Sequence, residues 1–118
     1  MGELEQILPK EFTDAVSASG NEVVLPYVGA LKAIVIATRH QIAILGLEAF
    51  EVQKDGLLTV GMTDASNRVV FTGDWKAYVA TMNAEAERWL RENRLGQNHG
   101  YILTSASQSE FTKLKRSR

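Results

Sequence analysis

Cysteine is absent from this chain. That excludes a disulfide framework, a cysteine nucleophile and thiolate zinc sites, and it fits a reducing compartment. Histidine occurs only at positions 40 and 99. Two isolated histidines with no thiol give little support to a metal site or a His-based triad. No apolar run approaches the roughly 20 residues that a membrane-spanning helix needs. The N-terminus, MGELEQIL, carries acids and no positive charge ahead of an apolar stretch. No secretory signal is therefore expected, and the chain is read as cytoplasmic with no membrane partner. The nucleotide, zinc-protease and nucleophile-elbow motifs are missing: no G-x-x-x-x-G-K-[ST], G-x-G-x-x-G, H-E-x-x-H or G-x-S-x-G occurs. The acids are scattered over surfaces predicted to be solvated, so nothing positive points to a carboxylate-pair enzyme. No catalytic residue, metal ligand or cofactor is expected.

What is present is an ordinary globular balance. The 118 residues, 45% hydrophobic and 23% charged, suit one domain over 1–118 that buries a core without staples. The net charge of −1 hides an asymmetry. Lys113, Lys115, Arg116 and Arg118 sit in a basic tail, predicted to fray. The body before it holds 14 acids against 9 bases. An acidic body disfavours a nucleic-acid surface and suits basic protein partners, although simple solubility would explain it as well.

The densest sheet signal is HQIAILGLEAFEVQKDGLLTVGM, from His40 to Met62. An apolar run gives way to an alternating one, then to Asp55-Gly56, then to a second apolar run, which together read as a β-hairpin. The strands are expected at about 42–53 and 57–63. Ile42 to Leu47 is apolar on both faces, as in a central strand covered on both sides. Gly46 in mid-strand suggests a bulge. Glu48 is the odd residue. Simple alternation places it with Ile44, Phe50 and Val52, unless a bulge at Gly46 resets the register. A structural role and a recognition role both fit it.

Around the hairpin, residues 2–8 and about 9–18 suggest short helices, the second with Pro9 at its first turn. Tyr27, Val28, Leu31, Ile34 and Val35 form a helical stripe over about 26–39, with Arg39 and His40 at its end. Asp64 to Arg68 is a polar turn, and Val69-Val70-Phe71 suggests a short third strand. Thr72 or Asp74 caps a long amphipathic helix with Trp75, Tyr78, Val79, Met82, Ala86, Trp89 and Leu90 on one stripe, predicted to stop near Leu95-Gly96. Its outer face offers the pairs Glu85–Arg88 and Glu87–Arg91. His99 falls in a loop, residues 101–105 in a strand, and Ser107-x-x-Glu110 resembles a capping box opening a terminal helix. The expected fold is α+β: a small antiparallel sheet of three or four strands built on the central hairpin, packed by two or three helices. The long helix and the helix before the hairpin are expected to sandwich the central strand.

The succession ALKAI (30–34), IAILGLEAFEVQKDG (42–56), DWKAYV (74–79), ERWLREN (87–93) and GYILTS (100–105) resembles the immunity protein 40 family. The most suggestive pieces are Gly46-Leu47-Glu48 followed by Phe50, and Trp75 to Val79. The chain departs from the family pattern at Leu47, where a second glycine is expected, and along LLTVGMTDAS, where an aromatic- and Asn-rich strand is expected. The resemblance implies a small α+β protein encoded beside a bacterial polymorphic toxin, which binds its cognate toxin domain and blocks it without catalysis. Such binding needs a few anchors and complementary charge. The acids on or beside the hairpin, Glu48, Glu51, Asp55 and Asp64, are the expected toxin-binding residues. Three rival readings stand beside this one. They are a small-molecule-binding or regulatory domain with a pocket between the long helix and the sheet, an enzyme of unrecognised type, and a homodimer formed through an exposed strand edge.

Overall fold

The computed structural model describes residues 3–10, 24–96 and 98–116. The elements in order are α1 (Glu3–Ile7), α2 (Tyr27–Arg39), β1 (Ala43–Gln53), β2 (Gly56–Asp64), a single 3-10 turn (Ala65–Asn67), α3 (Trp75–Glu92), β3 (His99–Ala106) and α4 (Gln108–Arg116). The fold is α+β. From residue 11 onward, the helix expected over 9–18 lies outside the described residues. One antiparallel sheet runs β2-β1-β3, so the first hairpin strand is the centre. Leu25 extends the far side through a single bridge to Tyr101.

The hairpin turn differs from expectation by one residue. Gln53 pairs with Gly56, leaving Lys54-Asp55 as the two-residue loop. Gly56, at φ 144°, starts β2 in a conformation that side chains resist. Two bulges then set which residues share a face. Ile44 pairs with Ser105 but Gly46 pairs with Thr104, so Leu45 is the spare residue in β1. Ala49 pairs with Gly61 but Phe50 pairs with Thr59, so Val60 is the spare residue in β2. The first bulge moves Ile44 onto the face of Leu47 and Ala49, and leaves Glu48 with Phe50 and Val52.

The two long helices do not sandwich the strand from opposite sides. Ala33, Ile34 and Ala37 of α2, Ala86 and Leu90 of α3, and Ile44, Leu47 and Ala49 of β1 form one buried cluster with Tyr101 and Leu103. Trp89 lies over Gly61, 3.6 Å from where a Cβ would stand. The physical reason is the shared stripe chemistry. Small residues on α2 let α3 approach it closely, and both helices then bury against the same side of the sheet. A second cluster gathers Ala43, Leu45, Ala65, Ala106, Trp75, Tyr78, Val79 and Met82. Phe71 stands edge-on to Trp75 and Phe111, with ring centroids 5.8 and 5.4 Å away. That pull, together with the lack of a pairing partner, explains why residues 69–71 form no strand. Val69 and Phe71 pack into the aromatic group while Val70 points out.

A third, smaller cluster lies on the other face of the sheet. Val24 packs on Phe50 and Ile102. A Cβ at Gly100 would come within 2.3 Å of Val24 Cγ1, so this contact requires glycine. Gly100→Ala should destabilise the fold by about 1–3 kcal/mol, and Val24→Ala should restore much of that loss. Urea unfolding of the two single variants and the double variant checks this, because additive losses would mean the two residues do not collide.

The helix ends follow their capping chemistry. Asp74 Oδ1 accepts from Ala77 N at 3.1 Å and starts α3. The helix stops at Glu92, earlier than Leu95-Gly96 implies. Tyr101 Oη donates to the Asn93 carbonyl at 2.8 Å and accepts from Leu95 N at 3.0 Å. A buried tyrosine from β3 thus ends the helix in place of a glycine cap. Both arms of the capping box form at α4: Glu110 N donates to Ser107 Oγ at 3.1 Å and Ser107 N donates to Glu110 Oε1 at 2.9 Å. The helix continues through Arg116. Arg88 makes a two-pronged pair with Glu85 at 2.7 and 2.8 Å, and Arg91 lies 3.7 Å from Glu87.

Candidate functional site

Gly46 sits where the chain cannot carry a side chain. A Cβ there would stand 2.7 Å from the Thr63 carbonyl oxygen. The missing side chain, the bulge beside it and the end of β2 leave a hollow of about 170 Å³ on the sheet surface. Glu48, Met62, Asp64, Ser66 and Thr104 line it around Gly46. Cross-strand pairing explains the set. Gly46 faces Asp64 on one side and Thr104 on the other, while Glu48 faces Met62 and Ile102.

Glu48 is a half-buried carboxylate in the central strand, with an apolar residue across from it on each side. Among the described residues no hydrogen bond or ion pair engages it. Asp64 is exposed and occupied locally. Its Oδ1 accepts from Ser66 N at 3.0 Å and from Ser66 Oγ, which closes the 3-10 turn. Its charge also reaches α3. Burial first, and the Asp64 carboxylate second, push the Tyr78 phenol above its usual 10.0.

The four acids predicted from the sequence therefore separate. Glu48 and Asp64 meet at the hollow. Glu51 alternates onto the face of Leu47 and Ala49, opposite Leu58 and His99. Asp55 is exposed in the hairpin loop. Around them, β2 is the outer strand and is studded with apolar side chains. Leu58, Val60 and Met62 are exposed, Met62 by 65%, as is Val52 of β1. Single exposed apolar residues are normal, and these divide between the two faces: Met62 pairs with Glu48, and Leu58 with Glu51.

Neither histidine belongs to this site. His40 is the exposed C-cap of α2. His99 begins β3, rather than lying in a loop, with its Nδ1 3.3 Å from the Gly96 carbonyl. Among the described residues no group of three or more His, Asp or Glu could hold a metal ion. No helix among them is long and apolar enough to cross a membrane. The space between α3 and the sheet is filled by Met82, Ala86, Trp89 and Leu90.

The residue that holds the hollow's geometry from behind is Asn83, which is 3% exposed. Its Oδ1 accepts from Ile44 N at 2.8 Å, beside the bulged Leu45. Its Nδ2 donates to the Ile42 carbonyl at 3.0 Å and to Thr38 Oγ1 at 2.8 Å. The sequence carries a signal for it: Asn83 lies four residues after Val79 and three before Ala86, a polar residue on an apolar stripe. Met62, Ser66 and Thr104 have no such signal. Their place in the site comes from the register.

Compared with protein-family models, curated protein sequences and solved structures, the chain finds no match.

Proposed function

We propose that this chain is an immunity protein, which binds a cognate bacterial toxin domain in the cytoplasm of the producing cell and blocks it by direct contact. The observation that carries this reading is the hairpin surface. The outer strand exposes Met62, and Val60 at its bulge, beside Glu48 in the middle of β1 and Asp64 at its own end. The segment 41–67 holds only one base, Lys54. Apolar anchors within a one-signed rim are what a protein partner of opposite charge needs for speed and register. No catalytic step is part of the proposal. No observation favours the small-molecule reading.

The test is co-expression of this chain with the toxin domain encoded beside its gene. Growth should be rescued and the two proteins should co-purify. Met62→Asp should weaken the complex at least tenfold in calorimetry, or about 1.4 kcal/mol. A toxin that kills despite the chain, with no complex formed, sinks the proposal.

A further inference from the structure

We infer that the hollow over Gly46 receives one lysine or arginine side chain of the partner, with Glu48 as its counter-charge. This deepens the immunity reading and rests on it. Three observations converge on this hollow. First, the hollow is built by backbone. The close approach of Gly46 to the Thr63 carbonyl removes a side chain from the middle of the sheet and leaves about 170 Å³. A dry cavity of about 150 Å³ accepts a benzene ring, so this volume is enough for one side chain.

Second, the Glu48 carboxylate has no counter-charge among the described residues. Glu48 stands between Met62 and Ile102 with no cation or donor on it among the described residues. Arg68 is directed to Thr63 Oγ1 at 3.3 Å and to Glu85 at 4.0 Å. A carboxylate held half-buried in a strand costs solvation that a partner's cation would recover. Third, the remaining wall divides by chemistry. Met62 offers a polarisable, flexible surface for the aliphatic stem of a lysine or arginine, and Thr104 and Ser66 offer oxygens at its rim. Asp64 adds a second negative charge, with one oxygen already committed to Ser66. A second copy of this chain is a poor occupant, since the segment it would present from its own hairpin is acidic as well.

The four acids are then unequal. Glu48→Gln should weaken binding to the toxin domain at least tenfold, whereas Glu51→Gln and Asp55→Asn should stay within twofold of the parent. Raising ionic strength should weaken the parent complex more than the Glu48→Gln complex, because the variant has already lost the charge pair. Glu48→Lys should abolish binding, and one lysine- or arginine-to-glutamate change in the toxin domain should restore it. Thermal unfolding of Glu48→Gln should match the parent, which separates a recognition role from a structural one. If the parent binds and Glu48→Gln binds equally well, the inference is overturned and the immunity reading stands. If Glu51→Gln or Asp55→Asn costs as much as Glu48→Gln, a diffuse acidic rim replaces the hollow as the determinant. If the parent does not bind the toxin domain at all, both readings fall together.

Discussion

Replacing Asn83 with leucine should lower the unfolding free energy by about 2–5 kcal/mol. The change removes the partner of Ile44 N and a partner of the Ile42 carbonyl. Each buried group left without a partner costs about 1–3 kcal/mol. A chain of this size has only about 6–18 kcal/mol in total. The melting temperature should therefore fall by roughly 10–20 °C. Asn83→Asp is the informative companion. It keeps an acceptor for Ile44 N but loses both donors, and it buries a carboxylate against the Ile42 carbonyl. Its folded-state pKa must then lie above the unfolded value of about 3.9. The native state binds the extra proton, so stability should rise as pH falls from 7 towards that range. Unfolding curves at pH 7 and pH 5 check the sign. A variant as stable as the parent at both pH values would remove Asn83 from its clamping role.

Gly46→Ala should destabilise the fold by about 1–3 kcal/mol, and at the same time reduce partner binding by filling the hollow. The obstacle is backbone: Thr63 O stands 2.7 Å from the new Cβ, and it belongs to the strand that must stay paired at Leu47↔Thr63. A flexible side chain could swing away, but a paired carbonyl cannot without opening the sheet. Denaturant unfolding gives the stability loss. Hydrogen exchange should show it concentrated between Gly46 and Thr63. Unchanged stability would mean that glycine is not required at this position.

The sequence displays the elements of this fold better than their placement. Periodicity alone separates α2 and α3 from the hairpin strands, and the cap residues Asp74 and Ser107 mark their helices directly. What it does not display is side assignment. A bulge shifts every residue beyond it to the opposite face, and no propensity scale says whether Leu45 or Gly46 is the spare residue. The same blindness merged four acids into one surface, although Glu48 and Glu51 point to opposite sides. Glu48 stood out because a carboxylate inside an apolar strand is locally discordant. Asn83 carried an equally discordant signal inside α3, masked by the many apolar neighbours that made the helix obvious. The early end of α3 is set by Tyr101, some residues later in the chain, and no local rule reaches that far.

The spare residue at Val60 has a bearing on solubility. A flat outer strand with exposed leucine, valine and methionine is a template on which identical chains stack into cross-β aggregates. Val60 breaks the regular spacing of backbone donors and acceptors midway along β2, leaving two runs too short to recruit a new strand in register. An edge interrupted in this way resists pairing with a second copy of itself.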